Sequence, residues 1–407
     1  RGARLAGGMG WRRAVAAGAG VQLGGRAGLG GRHSRRPGVE GGVHSNAFNF
    51  PAWGMFEKAA CALLAGMPVI EKPGSPTALL AWRLAQITVD SGVLPEGAFQ
   101  FVAGSAGDLL DHLGPQDCLA FTGSARIGAL LRGHANVVAH NVRVNVEADS
   151  LNAAVLAPDV ESDSETYGAF LSNIVTDMTQ KAGQKCTAVR RILVPVERVE
   201  EVQTDLIAEL GRIRMGDPAD RAIRLGPLTD AAQLEDVRAG IDRLREVAEV
   251  VLGGSESTEL GGCFVAPTLL VASDARAQVL HELEVFGPVS TILPYSGEVQ
   301  EAVDLVNLGG GGLVTSLYSN DPDWAEAYVL GVAPWHGRVW IASDRGVSQS
   351  LPPGMVLPAS IHGGPGRAGG GEELGAERGL AFYMQRTALQ GFKGFLEPRF
   401  GTPTAAE

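Results

Sequence analysis

Cysteine is scarce in this chain of 407 residues: four are present, Cys61, Cys118, Cys186 and Cys263, with no CxxC or Cys/His spacing. That excludes a zinc module and a disulfide framework, so no metal is expected and the setting reads as reducing and cytoplasmic. Basic residues are outnumbered, 34 Lys and Arg against 45 Asp and Glu, leaving a formal net charge of -11. Gripping nucleic acid needs a basic surface, so nucleic acid is excluded as a main partner. Long apolar runs are missing too. The longest, such as residues 59–70, fall short of the roughly 20 residues that span a bilayer, and no membrane partner is expected.

What remains is an enzyme-sized globular composition, 45% hydrophobic and 19% charged. Length points to two or three domains. Residues 1–30 differ from the rest: dominated by Gly, Ala and Arg, without periodicity, they read as a disordered or artefactual lead. From Gly31 the pattern becomes ordered. Residues 42–49 read as a strand running into a loop, and Trp53–Ala65 as a helix stopped by Gly66. Val69–Ile70 opens a buried strand, Thr77–Ser91 a helix, Phe99–Val102 and Cys118–Thr122 two more strands. This alternation predicts a parallel sheet with crossover helices, an α/β fold.

Ligands of such sheets bind at the carboxyl ends of strands. Lys72 and Gly123-Ser124 both fall there, and Gly123-Ser-Ala-Arg-Ile-Gly128 offers a glycine turn and a helix start to a pyrophosphate. It lacks the GxGxxG pattern, and a glycine capping an ordinary turn is the bland alternative. Downstream, the spacing predicts helices over 163–179, 199–213 and 231–247, and a strand over 191–195. The glycine-rich segment His362–Gly375 reads as a structured loop over a ligand cleft, with a disordered linker as its alternative.

Cys186, in Lys181-Ala-Gly-Gln-Lys-Cys-Thr187, is predicted on an exposed turn ahead of a helix, whose dipole would favour thiolate. A lone cysteine is more often a small buried apolar residue. Three segments upstream weigh against that reading: Asn46-Ala-Phe-Asn-Phe-Pro51, Val69-Ile-Glu-Lys-Pro73 and Asn145-Val-Glu-Ala-Asp149.

With His44-Ser-Asn-Ala-Phe-Asn-Phe-Pro-Ala-Trp-Gly-Met55, Glu147-Ala-Asp-Ser-Leu-Asn-Ala153, residues 362–373 and Tyr383-Met-Gln-Arg-Thr-Ala388, these stretches resemble the aldehyde dehydrogenases. More narrowly, they resemble the branch acting on coenzyme A-thioester semialdehydes in the aerobic degradation of aromatic acids. The resemblance runs from about Gly31 to Gly391. It implies a Rossmann-type parallel-sheet cofactor domain (31–158), an α/β catalytic domain (159–355) and a C-terminal segment (356–407) with a cleft loop and an oligomerisation strand. It also implies that Cys186 is the nucleophile, forming a thiohemiacetal and then a thioester. Asn49 and the Cys186 backbone N–H would form the oxyanion hole, and Glu147 would activate water. Lys72, Gly123, Ser124, Glu284 and Phe286 would hold the cofactor. Relatives that prefer NAD often carry a Glu three residues after the lysine. Here it is Ser75, which favours NADP, with NAD as the alternative.

The resemblance further implies a homodimer or larger oligomer. Family members carry a long additional stretch before the segment matching Gly31, so the cofactor domain is expected to be N-terminally incomplete. The lack of a following hydratase domain points to a stand-alone type. Glu71 and Arg126 are unusual choices for their places. Two rival functions stay open: an acylating dehydrogenase that releases acyl-CoA, and an inactive remnant that binds only a nucleotide or a partner subunit.

Overall fold

The computed structural model describes residues 15–16, 21–23, 28–357, 359–373 and 375–400. They divide into two compact units, one comprising residues up to Thr122, Ala129–Asn145 and Glu373 onward, the other Gly123–Gly128 and Val146–Glu372. Relative to the sequence divisions at 158/159 and 355/356, the chain changes units earlier, at 145/146, and the C-terminal segment is shared between the two.

The first unit opens with β1 (Val15–Ala16), β2 (Val21–Gln22) and β3 (Leu29–Pro37); β1 and β2 each pair antiparallel with β3. Where the expected disordered lead is described, it is therefore partly strand; most of residues 1–30 lie outside the described residues. A five-stranded sheet follows: β4 (Gly42–Ser45), β5 (Val69–Lys72), β6 (Phe99–Phe101), β7 (Cys118–Thr122) and β8 (Arg143–Glu147), in the order β6-β5-β4-β7-β8. The β4/β5, β4/β7 and β5/β6 pairs are parallel.

Successive residues of a strand face opposite ways, which sorts these side chains into two layers. Val69, Phe99, Cys118 and Ala120 pack with Met55, Ala59 and Ala62 of α1 (Trp53–Ala65) and Ala81 and Ala85 of α2 (Ala78–Asp90). Val43 and Leu119 face the other way, onto Leu113, Val137 and Val142. As the spacing predicts, α1 stops at Gly66, which is left-handed (φ 98°), a conformation that costs glycine little. Helix α3 (Ala125–Arg132) begins directly after the β7 turn.

The second unit is built on a seven-stranded sheet: β9 (Asn152–Leu156), β10 (Val189–Pro195), β11 (Ala248–Leu252), β12 (Thr268–Ala272), β13 (Val289–Tyr295), β14 (Gly312–Tyr318) and β15 (His336–Ala342). The order is β11-β12-β13-β10-β9-β14-β15, and only the β11/β12 pair is antiparallel. Both faces are covered, so the central strands are apolar nearly throughout. Ala154, Leu156, Ile192, Val194 and Ile292 meet α4 (Glu165–Thr179) and α5 (Val199–Gly211) through Phe170, Ile174, Met178, Val202 and Leu206. Ala153, Val155, Leu193 and Leu293 meet α6 (Ala231–Leu244) and α7 (Val299–Asn307) through Val237, Ile241, Val303 and Leu305. The chain returns to the first unit at Glu373, where β16 (Met384–Phe392) runs antiparallel along the whole of β3.

Candidate active site

Glu147 is the last residue of β8, and its side chain is 1% exposed. The backbone on either side of it is claimed by the glycine-rich segment: Gly371 N–H donates to the Val146 carbonyl, and Ala148 N–H donates to the Ala368 carbonyl, both at 2.9 Å. That segment is ordered. Gly363 and Glu372 close it with an antiparallel bridge, and Arg367 N–H donates to Gly310 O at 3.0 Å. Its glycines are there because backbone lies on backbone. A Cβ on Gly337, in β15, would sit 1.7 Å from Gly363 O, and one on Gly364 would sit 2.1 Å from Gly312 O.

Cys186 stands on the turn that leads from α4 into β10. After α4 the chain makes a tight left-handed turn through Lys181 (φ 54°), Ala182 (φ 53°) and Gly183 (φ 68°). For the two non-glycine residues that conformation costs of order 1–3 kcal/mol each, and the surroundings must hold it. They do so by hydrogen bonds. Arg190 donates to Gly183 O (2.8 Å), Asn152 Nδ2 to Cys186 O (2.8 Å), and Lys185 Nζ to Asp177 Oδ1 (2.8 Å) and Gln180 Oε1 (2.9 Å). The predicted helix after Cys186 is absent: the turn runs into β10, so no helix begins at the sulfur. Charge reaches it from side chains instead, since Lys181, Arg190 and Arg338 all face Cys186 electrostatically.

The turn and the strand end bring Cys186 and Glu147 together, and with them a residue the sequence reading did not single out, His362. Its Nε2 lies 3.3 Å from Cys186 Sγ and 3.5 Å from Glu147 Oε1. The reactive atoms of all three lie within 4.8 Å of one another. The other cysteines differ in kind: Cys61 and Cys118 are core thiols that burial pushes up to about 11.

Close by, Glu284 accepts the Ser150 N–H at 3.3 Å and pairs with Arg190 at 3.7 Å. Burial pushes its carboxyl up to about 7, against the opposing pull of Arg190. The Arg190 guanidinium also lies 5.4 Å from the centre of the Phe286 ring. Gly123 N–H donates to Glu147 O at 3.2 Å, while Ser124 is exposed at the start of α3. Asp149 accepts the first N–H of that helix, from Ala125, at 2.9 Å.

Asn49, Lys72 and Ser75 belong to the first unit. Asn49 follows β4, and the loop after β5 packs on its turn: Thr77 Oγ1 donates to Phe48 O at 2.8 Å. Lys72 ends β5, its ammonium donates to Pro73 O at 3.3 Å, and burial lowers its pKa. Strand alternation turns Glu71 the opposite way, into a buried cluster with His44 (2.5 Å) and Asn46 (2.7 Å), which Tyr383 closes at His44 Nε2 (2.8 Å). That accounts for the unusual acid beside Lys72. Arg126 has no comparable explanation. A second buried ion pair, Lys58 Nζ with Glu373 Oε2 at 2.8 Å, also went unread in the sequence.

A thiol, a carboxylate and an imidazole converge beside a doubly covered, mostly parallel sheet, a set suited to covalent catalysis through sulfur, and the sequence comparisons supply the class of reaction. The pattern of the aldehyde dehydrogenase family matches residues 37–389, and the chain belongs to that family. It is 42% identical over 366 residues to the 3,4-dehydroadipyl-CoA semialdehyde dehydrogenase of Aromatoleum evansii, covering 87% of this chain and 71% of that protein. To Protein MaoC of Klebsiella aerogenes it is 41% identical over 169 residues, 41% of this chain and 50% of that protein, so it spans half the length of that relative. The NAD-dependent aldehyde dehydrogenase from Sinorhizobium meliloti shares the fold at a TM-score of 0.81 and 25% identity, over 97% of this chain and 73% of that one. Among the described residues no helix is long and apolar enough to cross a membrane.

Proposed function

We propose that this chain oxidises a CoA-thioester semialdehyde from aerobic aromatic-acid degradation to its carboxylate, with NADP favoured over NAD. The observation that carries the reading is the convergence of half-buried Cys186 and buried Glu147 in one cluster. The substrate class rests on the identity to the Aromatoleum evansii enzyme. A bound nicotinamide dinucleotide supplies the hydride acceptor. The chain does the rest. The Cys186 sulfur adds to the aldehyde carbon, giving a thiohemiacetal whose oxygen the Cys186 backbone N–H would meet, with Asn49 as the second donor that the family resemblance implies. Once the thioester has formed, Glu147 takes a proton from water as the water attacks the acyl carbon, and sulfur leaves.

The donor set fits the cofactor. Glu284 is a buried carboxylate suited to ribose hydroxyls, with Phe286 beside it for the nicotinamide ring. Lys72 and Ser75 present an ammonium and a hydroxyl, with no carboxylate between them to repel a 2′-phosphate; at the start of α3 the Gly123 and Ala125 N–H groups are taken by Glu147 O and Asp149, which leaves the exposed Ser124 hydroxyl as the group for the pyrophosphate. Free thiols at all four cysteines suit a cytoplasmic location. Exposed Phe392 and Phe395, on and just after β16, suit self-association.

The test is nicotinamide reduction on mixing the purified chain, NADP and a CoA-linked semialdehyde. Steady turnover abolished by Cys186→Ala is the expected result. Folded wild-type protein that binds NADP without turnover overturns the dehydrogenase reading, and acyl-CoA in place of free acid as product favours the acylating alternative.

A further inference from the structure

We propose that His362 is a third catalytic residue: it takes the proton of the Cys186 thiol, so that the nucleophile is a thiolate before any aldehyde arrives. The inference rests on the assignment of Cys186 as nucleophile and adds a division of proton work within that site. His362 Nε2 lies 3.3 Å from Sγ, within contact distance of a thiol proton, and the ring is 6% exposed. In the transfer the S–H bond breaks and an Nε2–H bond forms; the lone pair left on sulfur is the pair that later bonds to the aldehyde carbon. No oxidant or further reactant is needed.

The charges around the pair support it from each side. The same Nε2 lies 3.5 Å from Glu147 Oε1, so an imidazolium formed there faces a carboxylate that is itself 1% exposed. An opposite charge at that range favours the protonated ring. The thiolate faces Lys181 from the left-handed turn, Arg190 from β10 and Arg338 from β15, and all three favour a negative sulfur. These cations oppose a positive charge on His362, and Glu147 offsets them. Position is fixed by backbone: the bridge of Gly363 to Glu372 and the close approach of Gly363 to Gly337 leave little room for the ring to drift. His362 then serves addition and Glu147 serves hydrolysis, two proton tasks on two groups.

Thiol alkylation of the whole chain, without substrate or cofactor, reads this directly. The rate of Cys186 modification by iodoacetamide against pH inflects, in the wild type, at least one unit below the ordinary thiol value of about 8.5. His362→Gln and His362→Phe raise that inflection by at least one unit and slow alkylation at neutral pH about tenfold. Should either variant fold poorly, the ultraviolet thiolate absorbance of wild type minus Cys186→Ser, followed across pH, gives the same inflection without touching His362. An inflection at the ordinary thiol value, or one that moves with Glu147→Gln and not with the His362 variants, overturns the proposal. The readout is independent of turnover. An inactive protein with a depressed thiol inflection sinks the dehydrogenase reading alone, and an active one with an ordinary inflection sinks the role of His362 alone.

Discussion

Arg190 ties together more of the second unit's chemistry than any residue the sequence singled out. Its guanidinium holds the Gly183 and Gly287 carbonyls, pairs with Glu284 and lies over Phe286. Removing one member of a buried ion pair leaves the other charge uncompensated, at a cost of about 3 kcal/mol or more. Arg190→Met is therefore expected to lower the unfolding free energy by that much, read as a lower urea midpoint, and to weaken nucleotide binding. The titration of Glu284 supplies a sharper sign. With a folded-state value raised to about 7, its protonated form stabilises the fold below about 4.5, and that contribution is lost as pH rises through 7. In the role proposed for it, ribose binding by the carboxylate would run the other way, tightening as pH rises through the same value. Calorimetric titration of NADP between pH 6 and 8, about a unit on either side of that value, should show this tightening, with its midpoint moved upward in Arg190→Met. Ser75→Glu tests the cofactor preference: a carboxylate beside Lys72 repels a 2′-phosphate, so KM for NADP should rise at least about tenfold while KM for NAD holds. Residues of this kind were legible unequally. Cys186 and Glu147 stand in short, distinctive segments, whereas His362 meets Cys186 across a separation of 176 residues, and no local pattern announces such a contact.

Among elements, strands and helices with clear periodicity were readable. Trp53–Ala65, β5, β7 and α4 fall within a few residues of their predicted spans. The turn at Cys186 was not. Its sequence reads as a helix entry, but the left-handed run at Lys181–Gly183 and the buried anchors Asn152 and Arg190 commit the next residues to β10. Tertiary hydrogen bonds outweigh local propensity there. The glycine segment was half legible: order could be inferred, its reason could not, because the partners are carbonyls of distant strands. Gly337→Ala checks that reason. A Cβ 1.7 Å from Gly363 O forces the loop to shift, at a cost of about 2 kcal/mol or more, and moves His362 with it. The variant should melt lower and alkylate more slowly at Cys186. Gly346→Ala, with nothing within 4 Å of its Cβ, should do neither.

For the molecule as a whole, acid is the revealing stress. His281 accepts from Arg191 at Nδ1 (3.0 Å) and sits 2.8 Å from Ala275 O at Nε2, an arrangement only the neutral ring satisfies. Burial first, and Arg191 second, lower its value from 6.5 to about 4. A depressed folded-state value means its stability contribution is complete above 6.5 and lost as pH falls through 4. Urea midpoints measured across that window should fall less steeply in His281→Gln, whose amide both accepts and donates without titrating. His336, lowered to about 4 by burial, works in the same direction.

The loop that clasps Val146 and Ala148 comes after every strand of the second unit in chain order. During synthesis, Cys186 and Glu147 emerge long before the His362 imidazole that meets them both. Contacts this distant in sequence form late, because the intervening chain must be closed first. If His362 is the proton acceptor proposed for Cys186, a ribosome-bound chain would hold that thiol protonated until the sheet beneath it is complete. The imidazole contact arrives last, as a property of the finished unit.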